Sequence, residues 1–173
     1  ICAPYVDANF NHCGNDCGSA YIFNVTTGAQ LHKIVASDAA SADYFGWSVA
    51  IDGNYAIVGA YQDDDTASSS GSAYIFSFND TTATQVHKIV ASDAAADDQF
   101  GISVAISGNY AIVGAPFNDD NGNSSGSAYI FNVITGAQLH KLTASDAAAG
   151  DQFGNSVAIS GNYAIVGAYG NDD

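Results

Sequence analysis

Apolar residues in this chain fall into short runs separated by clusters of Gly, Asn, Asp and Ser. In the middle of the chain Ser48 to Asp52 alternates, with Val49 and Ile51 on one side. Gly53-Asn54 follows, and Tyr55 to Ala60 is a second apolar run. A Gly-containing two-residue link between such runs predicts a tight hairpin. A polar loop from Tyr61 to Ser70 leads to a third strand, Gly71 to Phe78, with Ala73 and Ile75 on one face and Tyr74 and Phe76 on the other. Asn79 to Thr84 reads as a turn and Gln85 to Ala91 as a fourth strand. Ser92 to Gln99 reads as one helical turn capped by Ser92, after which Phe100-Gly101 restarts the cycle. Several strands are apolar on both faces, which fits a sheet held between two neighbours.

The cycle is written three times. Phe-Gly stands at Phe45, Phe100 and Phe153, Gly-Asn-Tyr-Ala-Ile-Val-Gly-Ala at Gly53, Gly108 and Gly161, and Gly-Ser-Ala-Tyr-Ile-Phe at Gly18, Gly71 and Gly126. Successive copies lie 53 to 55 residues apart. A period near 50 marks repeated supersecondary units that bury their faces on one another. Units drawn at 1–58, 59–113 and 114–173 form one continuous array. Four antiparallel strands per unit predict an all-β chain of about three propeller blades. The repeated Phe is expected to plug between blades, and Gly46, Gly59 and their equivalents to permit bends or close backbone approach.

The run Phe100 to Pro116 carries Phe-Gly-x-Ser-Val-Ala-Ile followed by Ile-Val-Gly-Ala-Pro. It resembles the FG-GAP repeat, which builds the propeller at the head of integrin α subunits and occurs in many secreted and surface proteins. The resemblance runs from Ile1-Cys2-Ala3-Pro4 to Gly167-Ala168. It implies a blade architecture and an extracellular or cell-surface location. The calcium loop that integrin-type repeats hold between their two motif strands is not carried over. Two-residue turns, such as Gly53-Asn54 and Gly108-Asn109, occupy its place.

Charge narrows the partners. The chain has 173 residues, 18 acidic groups that are all Asp, three Lys and a net charge of -15. Nucleic acid phosphates and anionic membrane surfaces would be repelled. No stretch approaches the roughly 18 apolar residues of a membrane span. The balance favours solubility and cation binding.

The acidic loops after each Gly-Ala are the candidate cation sites, with Asp7, Asn9, Asp63, Asp65, Asp119 and Asn121 as ligands. Calcium takes several oxygens from one loop, and the alternate spacing resembles the start of such a loop. The closing Glu is missing, so solvated turns are the preferred reading and no cofactor is required. His32-Lys33, His87-Lys88 and His140-Lys141 recur once per unit. They are read as ion-pair partners of Asp38, Asp93 or Asp146 in the segment following each pair, rather than as a row meeting anionic ligands. Asn24, Asn79 and Asn123 head three N-x-S/T sequons in turns or loops, where a glycan could sit. Cys13 and Cys17 flank a Gly-Asn-Asp turn, where a local disulfide is preferred over two free thiols and over zinc. Aligning the repeats puts Cys2 where Val58 and Val113 stand, as a small buried hydrophobe.

Catalytic residues are expected once per chain and clustered. Here almost every polar residue is copied in each unit, as in a scaffold. Trp47 is single, in a slot held elsewhere by Ile102 and Asn155, and reads as surface. About three blades are fewer than the roughly four to eight of a closed propeller, so one chain alone is not expected to close. The sequence reads as a non-enzymatic extracellular structural or adhesive protein. Its partners are further copies of itself, in a ring or filament, or further repeats of a longer chain. The alternative is a ligand- or carbohydrate-binding section of a larger secreted receptor or enzyme.

Overall fold

The computed structural model describes residues 2–3 and 14–172. All of its regular structure is β-strand, and no helix among these residues is long and apolar enough to cross a membrane. A first sheet pairs β1 (Cys2–Ala3), β2 (Ser19–Phe23) and β3 (Gln30–Ile34) in that order. A second holds β4 (Ser48–Asp52), β5 (Tyr55–Ala60), β6 (Ser72–Phe78) and β7 (Ala83–Ile89). A third holds β8 (Ser103–Ser107), β9 (Tyr110–Ala115), β10 (Ser127–Asn132) and β11 (Gln138–Leu142). The last pairs β12 (Phe153–Ser160) with β13 (Tyr163–Ala168). Every ladder is antiparallel between chain neighbours, so each sheet is a meander. Among the described residues the sheets do not close on one another, as in an incomplete propeller. A sheet begins at the Phe-Gly strand, so borders at 58/59 and 113/114 fall inside β5 and β9.

The two-residue hairpins form where the sequence places them. Gly53 adopts φ 55° between the paired residues Asp52 and Tyr55, a conformation glycine enters without a Cβ penalty. The recurrent Phe-Gly and Gly-Ala motifs have one cause, close backbone approach between sheets. A β-carbon on Gly59 would lie 2.0 Å from the carbonyl oxygen of Gly101 in the next sheet. The Ser48 hydroxyl donates to that same oxygen at 2.7 Å.

The core lies between sheets. Phe45 is fully buried among Ala20, Ile22 and Ile34 of the first sheet and Tyr74 and Phe76 of the second. It meets Tyr74 edge-on with ring centroids 5.5 Å apart. Phe100 repeats this between the second and third sheets, against Tyr129 at 5.5 Å and Phe131 at 5.7 Å. The Phe is thus the plug its recurrence implied.

Two expectations are corrected. The segment Ser92 to Gln99 is two consecutive turns and not a helical turn. The Asp98 carboxylate takes the N–H of Ala95 at 3.0 Å, and Asp97 and Gln99 adopt positive φ, which interrupts any helical ladder. Asp43 and Asp151 hold Ala40 and Ala148 in the same way. Cys2 pairs with Ala20 as Gly59 pairs with Ala73 and Gly114 with Ala128. It therefore stands in the glycine slot, one residue beyond that of Val58, because Ala3-Pro4 aligns with Ala115-Pro116.

Candidate functional site

The densest polar grouping sits where one sheet meets the next. Lys88 leaves β7 with its stem over the Tyr74 ring, Nζ lying 5.3 Å from the centroid. The ammonium donates to Asp38 at 2.8 Å, Asp63 at 2.9 Å and Asp65 at 2.5 Å. Tyr74 donates its hydroxyl to Asp63 Oδ2 at 2.7 Å. Asp63 and Asp65 come from the loop after β5 in the same sheet, and Asp38 from the segment after β3 in the preceding one. Lys141 repeats the arrangement over Tyr129, with Asp93, Asp120 and, at 3.3 Å, Asn118 Oδ1. The expected pairs, each lysine with the aspartate in the segment following it, do not form: Lys88 pairs with Asp38 and Lys141 with Asp93, each reaching back to the preceding sheet. Asp38 and Asp93, five positions after Lys33 and Lys88, instead serve the next junction along the chain.

The Asp38, Asp63 and Asp65 oxygens lie within 4.8 Å of one another, the single such group of His, Cys and Asp side chains among the described residues. Candidate ligands Asp63 and Asp65 are therefore brought together, around a cation the chain itself supplies. Burial opposes charge on Lys88, yet its hydrogen bonds to Asp38, Asp65 and Asp63 outweigh this and raise its pKa above the ordinary lysine value. Burial likewise pushes Asp38 upward, and the Lys88 hydrogen bond and charge overcome it to hold the carboxyl low. Asp93 is held low by the same balance through Lys141.

Asp43 behaves differently. Burial pushes its carboxyl up to about 6, the Ala40 N–H opposes this, and the Asp63 and Asp64 charges add to it. At the next junction Asn118 stands in the place of Asp63, and its amide donates to Asp98 at 3.2 Å. Burial raises Asp98 as well.

Other candidates are dispersed. Asp7, Asn9 and Cys13 lie outside the described residues. The Asp119 carboxylate accepts the Ser124 N–H at 2.7 Å, and the Asn121 N–H donates to Ser125 Oγ at 3.2 Å, so both tie their own loop. Their neighbours Asn118 and Asp120 meet Lys141. Alignment of Asn118-Asp119-Asp120 with Asp63-Asp64-Asp65 was the available signal for those two. Asn79 and Asn123 are exposed, whereas Asn24 is half-buried and accepts the N–H groups of Thr26 and Thr27. Cys17 is fully buried, in the slot of Ser70 and Ser125. Trp47 has partners that sequence reading missed. Its ring lies 4.6 Å from that of Tyr61, which stacks on Tyr44 at 5.7 Å.

The model of the FG-GAP repeat matches residues 29–76, 83–131 and 137–173. No curated protein matches the chain. Repeats of this kind form propeller-type domains and are typical of extracellular and surface proteins, in keeping with the meander sheets and the Phe plugs. With the three matched segments covering most of its length, the chain belongs to the FG-GAP repeat family.

Proposed function

We propose that this chain is a non-enzymatic, extracellular structural or adhesive repeat protein that associates with further copies through blade-to-blade contacts. The observation that carries this reading is a contrast between equivalent positions. Ile57 and Ile112 are 0% exposed inside the array, while Ile165 on β13 is 72% exposed. Apolar surface of this kind marks an interaction site. The polar residues support the same reading, since Lys88 and Lys141 head copies of one structural junction rather than a single asymmetric cluster. Glycans would be accommodated at the exposed Asn79 and Asn123. Calcium is an optional ligand here, because Lys88 already places a cation among Asp38, Asp63 and Asp65. Sedimentation velocity and electron microscopy of the uncrosslinked chain test the proposal. Oligomers are expected, and a monomer at every concentration would sink it.

One observation favours a second reading, a carbohydrate-binding section. Tyr44, Trp47 and Tyr61 form a partly exposed aromatic patch that the next unit replaces with Gln99, Ile102 and Pro116. Such rings offer faces to sugar C–H groups. A glycan array on the native chain and on Trp47→Ala tests it, and absence of any Trp47-dependent signal removes the support.

A further inference from the structure

We infer that the cleft between the segment Asp97 to Gln99 and the loop Phe117 to Ser124 binds one uncharged pyranose unit of a glycan. The inference rests on the carbohydrate-binding reading above and adds to it a site apart from Trp47.

The cleft has a volume of about 320 Å³ and is lined by Asp97, Gln99, Phe117, Asp119, Asn123 and Ser124. Small-molecule sites start at about 300 Å³, so the space suits one sugar ring. One wall is the turn that precedes β8, and the other is the loop that joins β9 to β10. Backbone bonds anchor both walls to their neighbours. The Asp97 and Gln99 N–H groups donate to the carbonyls of Ser68 and Ser69 at 2.8 and 3.1 Å. The Asn123 and Ser124 carbonyls accept from Gly150 and Gln152 at 2.9 and 3.0 Å. The buried Asn118 amide donates to Asp98 at 3.2 Å and ties one wall to the other. The cleft therefore lies inside the array, with described residues packed on both sides of it.

The same scaffold one repeat earlier carries different side chains. Aligned at the Phe-Gly and Gly-Ala motifs, Asp97, Gln99, Phe117 and Asn123 take the places of Ala42, Tyr44, Gln62 and Ser68. The backbone does not change with them. Asp97 and Gln99 have φ 66° and 55°, and Ala42 and Tyr44 have 70° and 55°. Ser124 has φ 53° and its equivalent Ser69 has 48°. What the fold requires at the four changed positions is thus met by Ala, Tyr, Gln and Ser. The two amides, the phenyl ring and the added carboxylate serve no need of the backbone, and all four meet at one space.

Their chemistry fits a sugar. Gln99 and Asn123 carry amides that both donate and accept, Asp97 and Asp119 accept, and the Ser124 hydroxyl does both. Sugar hydroxyls need that mixture, and the C–H face of a pyranose packs on an aromatic ring such as Phe117. Among the described residues the Asp97 carboxylate and the Gln99 amide have no hydrogen-bonding partner. The Asn123 side chain receives the Ser124 hydroxyl at 3.4 Å, which leaves its amide hydrogens to a ligand. Asp119 uses Oδ1 for the Ser124 N–H and keeps Oδ2. The ionisable groups lining the cleft are two aspartates, on a chain of net charge -15, so an anionic sugar is repelled. A metal ion would use the carboxylates and leave the Phe117 ring and the Gln99 amide without a role.

NMR titration of the nitrogen-15-labelled chain tests the inference. The chain is made without N-glycosylation, because a glycan attached at Asn123 would occupy the same cleft. The probes are maltotetraose, cellotetraose, mannotetraose and N-acetylated chitotetraose, with tetragalacturonate as the anionic control. At least one neutral probe is expected to shift the side-chain amides of Gln99 and Asn123 together with the backbone amides of Asp97 and Asp119. Tetragalacturonate is expected to leave them in place. Asp97→Ala, Phe117→Gln and Asn123→Ser install the residues of the preceding repeat, and thermal unfolding checks that the fold tolerates them. Each is expected to weaken the binding by about tenfold, whereas Val25→Thr, at a position 98% exposed, leaves it unchanged. Equal shifts with tetragalacturonate overturn the uncharged ligand. A neutral probe that moves the Trp47 indole and not the cleft, or whose affinity survives all three substitutions, overturns this site and leaves the carbohydrate-binding reading standing. No response at either place to any neutral probe overturns both.

Discussion

The Lys88 ammonium lies 2.8 Å from the Asp38 carboxylate, 50 positions earlier in the chain and on the far side of a sheet junction. The same ammonium also binds Asp63 and Asp65 of its own sheet, so one side chain staples a loop to its sheet and that sheet to its neighbour. The Tyr74 ring beneath the stem restricts the lysine rotamers, which lowers the entropy lost on forming the staple.

Removal of that ammonium leaves three carboxylates facing one another. Lys88→Met is expected to destabilise the fold by about 2 kcal/mol, between the values for exposed and buried pairs. Lys33→Met serves as the control, because Lys33 makes no ion pair among the described residues, and is expected to cost no more than about 0.5 kcal/mol. Urea unfolding followed by circular dichroism compares the two, and equal costs would count against the staple.

Any calcium at Asp63 and Asp65 would have to compete with the same ammonium. In Lys88→Gln the three carboxylates are free to share a divalent cation. Calcium is expected to raise the Tm of this variant by several degrees more than that of the native chain. Differential scanning fluorimetry against a magnesium control reads the difference, and an identical response in both proteins contradicts the competition.

Asp43 carries a pH dependence of definite sign. Its folded pKa, about 6, lies above the ordinary 3.8, so the folded chain holds this proton more tightly than the unfolded one. The corresponding stability is complete below about pH 4 and is lost as pH rises through about 6. Asp38 and Asp93, held low, act in the opposite direction, and their contribution is lost as pH falls below the ordinary carboxylate range. Asp63→Asn installs the amide that Asn118 presents to Asp98 and is expected to lower the pKa of Asp43. Carbon-13 NMR titration of the carboxyl follows it, and an unchanged midpoint refutes the role given to Asp63.

Backbone contact between sheets predicts a contrast between two glycines. Gly71 has φ 82°, and a β-carbon there would lie 2.0 Å from the Phe100 carbonyl oxygen. Gly53 has φ 55° with nothing within 4 Å. Gly53→Ala is expected to cost about 1 kcal/mol from backbone strain alone. Gly71→Ala adds a clash with unyielding backbone and is expected to cost about 3 kcal/mol or more. Thermal unfolding of the two variants decides, and comparable losses would show that close approach is not what Gly71 serves.

Strand content, hairpin positions and the stacking of like units were determined by the sequence alone. Alternation along Ser48 to Asp52, the Gly53-Asn54 link and the doubly apolar Tyr55 to Ala60 are local signals, and threefold repetition multiplied each of them. The plugging role of Phe45 and Phe100 was legible for the same reason, since a large apolar residue recurring once per blade has one place to go. Cation-site candidates were legible only as acidic loops. Which aspartates converge depends on where two sheets meet, and adjacency along the chain pointed Lys88 to Asp93 when the junction brings it Asp38. Likewise Ser92 carries a capping signal that the buried Asp98 carboxylate overrides by taking the Ala95 N–H for a turn. The tertiary structure alone decided these matters, because contacts between sheets join residues about one repeat apart, and their geometry is set by backbone approach at the glycines.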